Sequence, residues 1–132
     1  MSAPDVKRAP FQYAALRIIP RIERGEAVNA GVVLFCRPLR FLGARTHLDE
    51  ALLAALSPRC DPTEVKALLK TIEHIAHGEP QGGAIAQLPA SERFHWLVAP
   101  ASTIVQPGPV HTGLTSVPRD ELDRLFAKLV ER

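Results

Sequence analysis

This chain of 132 residues has little with which to staple or anchor itself: two cysteines, one methionine, one tryptophan and one tyrosine. Cys36 and Cys60 fall in different expected elements and show no paired metal-ligand spacing, so neither a disulfide framework nor a zinc site organises the fold. No run approaches the roughly 20 apolar residues of a membrane span. The opening MSAPDVKRAPFQ has no apolar core of signal-peptide length. The expectation is a reduced, cytoplasmic, soluble protein without a membrane partner. Charge of one sign is also lacking: 16 basic residues stand against 14 acidic ones, a net charge of +2. Twelve of the basic residues are arginine, but no dense basic cluster forms, so a nucleic-acid role is permitted rather than implied. Steep loss of binding with salt would reveal one.

Catalytic signatures are missing as well. There is no GxSxG, no glycine-rich loop opening a helix, and no P-loop lysine after Gly82-Gly83. His74 and His77 stand three apart on one helix and could join Cys60 or Asp61 on a metal, yet no HExxH or CxxC pattern accompanies them. No metal and no cofactor is expected, and an enzyme here has no nameable mechanism.

What is present is an ordinary globular composition, 46% apolar and 23% charged. A chain of this length buries a core unaided. Residues 1–9 read as a loose tail and 10–132 as one domain. A strand is expected from Gln12 to Ile19, with Ala14, Leu16 and Ile18 on one face and Tyr13, Ala15, Arg17 and Ile19 on the other. Pro20 ends it. Val28 to Cys36 is nearly all apolar, which makes it a central strand covered on both faces, and Arg40 to Arg45 forms a short third strand. A short third strand beside an apolar central one leaves room for edge pairing in a homodimer.

The period then changes. Leu48, Leu52, Leu53 and Leu56 suit a short helix. Asp61-Pro62-Thr63-Glu64 is a helix start, and Val65, Leu68, Leu69, Ile72, Ile75 and Ala76 form its apolar stripe up to a Gly78 cap. Glu79 to Arg93, with Pro80, Gly82, Gly83 and Pro89, reads as a mobile connection. Strands are expected at Phe94–Ala99, with Trp96 in the core and His95 outside, and at Thr103–Gln106. A Pro/Gly-rich loop holding His111-Thr112 then leads to a helix over about Val117–Val130. The fold class is α+β: a largely antiparallel sheet of about five strands with two main helices and one short helix.

The densest polar cluster is the end of the first hairpin: Arg21, Glu23, Arg24, Gly25, Glu26 and Asn29. Gly25 and Gly31 suggest positive φ or close backbone approach. Asn29 suits a turn cap, and Arg24 with Glu26 suits an ion pair that fixes the loop. In one reading these groups satisfy each other. In the other, Arg17, Arg24 and Glu26 meet an anionic or peptide partner, since binding residues sit on loops held by rigid scaffolds. Arg17 interrupts a strand face. A buried guanidinium needs an acceptor, so a solvent-facing side chain is the simpler reading and the edge of a site the alternative.

Tyr13, Arg17, Pro20, Arg24-Gly25-Glu26, Asn29 and Gly31-Val32-Val33-Leu34, followed by Arg45, resemble the opening signature of a small bacterial family catalogued as domain of unknown function 3037. Arg93-Phe94-His95-Trp96-Leu97, Ser102, Gln106 and Gly113-Leu114-Thr115 extend the likeness over almost the whole domain. The family brings no established activity. The resemblance implies a companion to a HipA-like kinase, as a regulator of antitoxin type or a docking subunit. The leading expectation is thus a non-catalytic interaction or regulatory module whose contact surface holds Arg17, Arg24, Glu26, Asn29, Arg45, Arg93 and His95. The alternative is a small enzyme for a phosphate-bearing or nucleotide substrate, with Arg17, Arg24, Glu26, His95 and His111 gathered in one pocket.

Overall fold

The run VNAGVVLFC forms the most thoroughly buried element, β2 (Val28–Cys36), in which only Asn29 keeps partial exposure. A computed structural model describes residues 7–101 and 103–132. In it, β2 lies between β3 (Phe41–Thr46) and β1 (Ala9–Ile18). The far side of β1 is shared by two short strands. Its C-terminal half pairs with β4 (Val105–Pro107) and its N-terminal half with β5 (His111–Thr115). All pairings are antiparallel.

Side-chain alternation then divides the core. Ala14, Leu16 and Ile18 point to one face with Val33, Phe35 and Ala44. That face is covered by α2 (Pro62–Ala76) and α4 (Ala90–Val98), with α1 (Glu50–Leu56) beside them. Phe11 and Tyr13 point to the other face with Val32 and Leu34, under α5 (Pro118–Leu129). The helix starts follow the sequence. Asp49 accepts from the Leu52 N–H, Asp61 accepts from the Thr63 N–H, and Gly78 ends α2 at φ +68°. Gly31 is needed for close approach: a Cβ there would stand 2.8 Å from the Arg45 carbonyl oxygen. Gly25 supplies a φ of +70° at the hairpin end. Among the described residues the fold is α+β, a five-stranded antiparallel sheet with five helices. None of these helices is long and apolar enough to cross a membrane.

Four expectations are corrected. Phe94–Ala99 is helical, not a strand, because Phe94 and Leu97, three apart, are the residues that reach the core. A short apolar run is ambiguous in period, and Glu92 in the first turn favours the helix. Trp96 therefore lies outside with His95, 50% exposed. Glu79–Arg93 is not an open connection but a 3-10 turn (Pro80–Gly82), a single-turn α3 (Gly83–Ala86) and the start of α4, with Ala86 buried. His111-Thr112 lies in β5, not a loop. Gly113, which reads as a breaker, is where a Cβ would come within 2.6 Å of the Phe11 ring. The first strand begins at Ala9, and residues 1–6 of the expected tail lie outside the described residues.

The free edge of β3 is occupied from within. The Ala44 N–H donates to His77 Nε2 at 3.3 Å, and the Thr46 N–H donates to Glu73 Oε2 at 2.9 Å. Edge N–H groups satisfied by a helix offer less to a second chain.

The helical assignment of α4 sets an order of stabilities. Phe94→Ala should cost about 3–5 kcal/mol in urea denaturation. Trp96→Ala should stay within roughly 1 kcal/mol, as surface substitutions do. The reverse order would restore the strand with Trp96 in the core.

Candidate functional site

The site begins with two breaks of register around the middle of β1. On one side, Leu16 pairs with Gly31 but Arg17 pairs with Asn29, so β2 carries an extra residue, Ala30. Such a bulge re-aims side chains. It sets Asn29 opposite Arg17 and turns its amide to the α5 side, where Nδ2 donates to the Leu129 carbonyl at 3.1 Å. Asn29 thus caps the end of a helix rather than its own turn. On the other side, Leu16 pairs with Pro107 and Tyr13 with His111. Gly108, Pro109 and Val110 therefore stand opposite only Ala14 and Ala15. The Gly108 N–H still donates to the Ala15 carbonyl at 2.8 Å.

Between these breaks lies a depression of about 180 Å³, lined by Tyr13, Ala15, Arg17, Asn29, Gly108, Pro109, His111 and Leu129. Ala15 leaves it open: its methyl group sits between Tyr13 and Arg17 on the same strand face. His111, exposed on β5, stacks obliquely on Tyr13 with ring centroids 5.3 Å apart. Arg17 is half-buried, not solvent-facing, and its ε N–H is shielded from water with no hydrogen-bond partner among the described residues. A buried, unpaired donor on a cation costs about 1–3 kcal/mol or more, so it calls for an explanation. Gly108 lies against the guanidinium: a Cβ there would be 3.4 Å from Nε.

The other candidates part ways. Arg24 and Glu26 pair with each other at the exposed hairpin end, Nε to Oε1 at 2.6 Å. The guanidinium's hydrogen bond holds the Glu26 carboxyl below the usual range. Arg45 pairs with Asp123 at 3.0 Å and lies over the Phe126 ring, 4.2 Å from its centroid. It borders a second cavity of about 460 Å³ that also contains Asn29, His47, Asp49 and Arg132. Arg93 donates to the Leu88 carbonyl at 2.7 Å and to that of Ala76 at 3.5 Å, tying α4 to α2. His95 lines a separate cavity with Gln12, Phe35 and Arg37. The structure brings together Arg17, Asn29 and His111, with Arg45 one cavity away. It does not gather Arg17, Arg24, Glu26, His95 and His111.

Sequence reasoning passed over Tyr13 as a lining residue, along with Ala15 and Gly108. The signal for Tyr13 was the alternation that puts it with Ala15 and Arg17 on one face of β1. Ala15 and Gly108 matter by being small, which no motif records.

His74 and His77 both approach Glu79, at 3.1 and 3.6 Å. The hydrogen bond from His74 holds the Glu79 carboxyl below its ordinary range. No group of three metal-ligating side chains occurs among the described residues. Burial, with Glu64 and Asp61 adding to it, pushes the Cys60 thiol up.

A protein-family model described as "Protein of unknown function (DUF3037)" matches residues 13–130. No curated protein and no solved structure matches the chain.

Two outcomes follow from these environments. The double substitution Arg24→Ala/Glu26→Ala should change unfolding free energy by less than about 0.5 kcal/mol, because exposed ion pairs contribute little, whereas Asn29→Ala should cost about 1 kcal/mol by freeing the Leu129 carbonyl. With its pKa raised, Cys60 holds less thiolate at any given pH. Iodoacetamide should modify it more slowly than an unstructured cysteine peptide at pH 8.

Proposed function

This chain belongs to the DUF3037 family, whose function is unknown, and we propose that it is a non-catalytic interaction module that holds an anionic side chain of a protein partner at Arg17. The supporting observation is the buried ε N–H of Arg17 with no partner among the described residues, in the wall of a depression. Guanidinium presents a planar fork suited to carboxylate or phosphate. A depression of about 180 Å³ is the size of one side chain. Sites for whole small molecules run to about 300–1,000 Å³, so the size of this depression suits a single side chain better than a nucleotide.

Around this anchor, the contact surface takes in Asn29, Arg45 and the exposed Arg24–Glu26 hairpin end. Arg93 is spent on backbone carbonyls and serves the scaffold. The family resemblance makes a HipA-like kinase the partner to try first, with this domain as its regulator or docking subunit.

The test is capture of that kinase by the tagged domain, with Arg17→Met beside the wild type. Wild type should retain the kinase and Arg17→Met should lose it. Arg17→Met should also unfold at equal or higher denaturant, because the apolar replacement removes an unsatisfied buried donor. Equal capture by both proteins would overturn the reading. So would a loss of stability by several kcal/mol, which would make Arg17 a structural residue.

A further inference from the structure

We propose that the group held at Arg17 is a phosphoryl ester on a hydroxyl side chain, rather than a carboxylate. This rests on the docking function proposed above and sharpens it. The argument is the distribution of donors. Arg17 enters the depression from β1 and Asn29 from β2, opposite it; Tyr13 stands four residues back on the same β1 face, beyond Ala15, and His111 opposite Tyr13 on β5. Polar groups thus surround the space from three strands. None of the described lining residues carries a carboxylate.

A carboxylate offers two oxygens whose lone pairs lie in one plane, so it meets donors best within that plane. A tetrahedral phosphoryl group has three free oxygens pointing apart. One can take the Arg17 Nε–H, leaving others for the Tyr13 hydroxyl and the His111 imidazole. Ala15 and Gly108 are the two smallest lining residues, and they leave room for a tetrahedral group beside the guanidinium. Leu129 and Pro109 provide apolar walls for the carbon to which the ester oxygen is attached. Free inorganic phosphate shares this chemistry but would leave those apolar walls unused.

The experiment is an NMR titration of the full domain, following the Arg17 Nε–H resonance. The probes are N-acetyl-O-phosphoserine methylamide, N-acetylglutamate methylamide and inorganic phosphate. The phosphoserine derivative should shift the Arg17 resonance and bind at least tenfold more tightly than either other probe. Arg17→Lys should lose at least tenfold of that affinity, since it keeps the charge but not the Nε–H. Gly108→Ala, which fills part of the depression with a methyl in contact with the guanidinium, provides a second variant if Arg17→Lys does not fold; it should weaken binding as well. Equal or tighter binding of the glutamate derivative would overturn the phosphoryl assignment while leaving the docking function standing. Equal binding of inorganic phosphate would overturn the side-chain source. No response of Arg17 to any probe would overturn both this inference and the function on which it rests.

Discussion

The structure depends on β1 being hydrogen-bonded along both edges. A strand in that position has no route for a side chain past an edge into water. Towards its C-terminal half, from Tyr13 to Ile18, every residue projects onto one of the two faces and is buried or half-buried there. Ala14, Leu16 and Ile18 do so at no cost, each at 1% exposure or less. Arg17 does so at a cost, because a guanidinium is delivered to the α5 face with its ε N–H shielded and unmatched. Both register breaks lie at this residue's neighbours, Ala30 on one side and Gly108–Val110 on the other. The bulges open the space that the arginine needs. Regular pairing at these positions would close the depression.

Four arginines show how placement, not residue type, decides the role. Arg24 has a carboxylate within reach and water around it, so its pairing changes little. Arg45 combines Asp123 with the face of Phe126, an exposed packing contact between β3 and α5. Arg93 reaches two backbone carbonyls, that of Ala76 at the end of α2 and that of Leu88 just after α3, a use that suits a multi-donor cation. The Nε–H of Arg93 is buried without a partner among the described residues too, although its other nitrogens are engaged; Arg17 differs in facing a depression whose described lining residues carry no carboxylate. The likeness of these side chains in the sequence conceals four different electrostatic situations.

Much of the fold was legible because it is written in local periods and caps. The unbroken apolar run of β2 announced a central strand, and Asp61-Pro62 announced the start of α2. The alternation along β1 correctly placed Tyr13, Ala15 and Arg17 on one face. The failures have a common cause. RFHWLVA carries apolar residues at spacings that serve either period, and tertiary contact of Phe94 and Leu97 decided for the helix. HTGLT lost its strand character in reading to Gly113, whose reason for being glycine is the Phe11 ring across the sheet. The candidate site was half legible. Arg17 and Asn29 stood out as polar residues in apolar strands, but their pairing required a bulge that no spacing rule reveals. His111 could be joined to them only by the β1–β5 register, which is a long-range property.

Part of the depression's wall is set by backbone and by short or fixed side chains. Ala15 and Gly108 have no rotamers to choose, Pro109 has a fixed φ, and Asn29 is held by the α5 carbonyl. The guanidinium lies beside Gly108. Such a site is formed before anything enters it, so little ordering entropy is lost on binding. Preorganisation of this kind suits recognition of one small, rigid, charged group. It suits poorly a reaction that requires a closing lid, because the depression's sides are paired strands and a packed helix end. The cost of the unmatched Arg17 donor, about 1–3 kcal/mol in the free protein, is recovered when an acceptor arrives. That recovery makes the strain itself a source of affinity for an anion, and it gives no advantage to a neutral ligand of the same size.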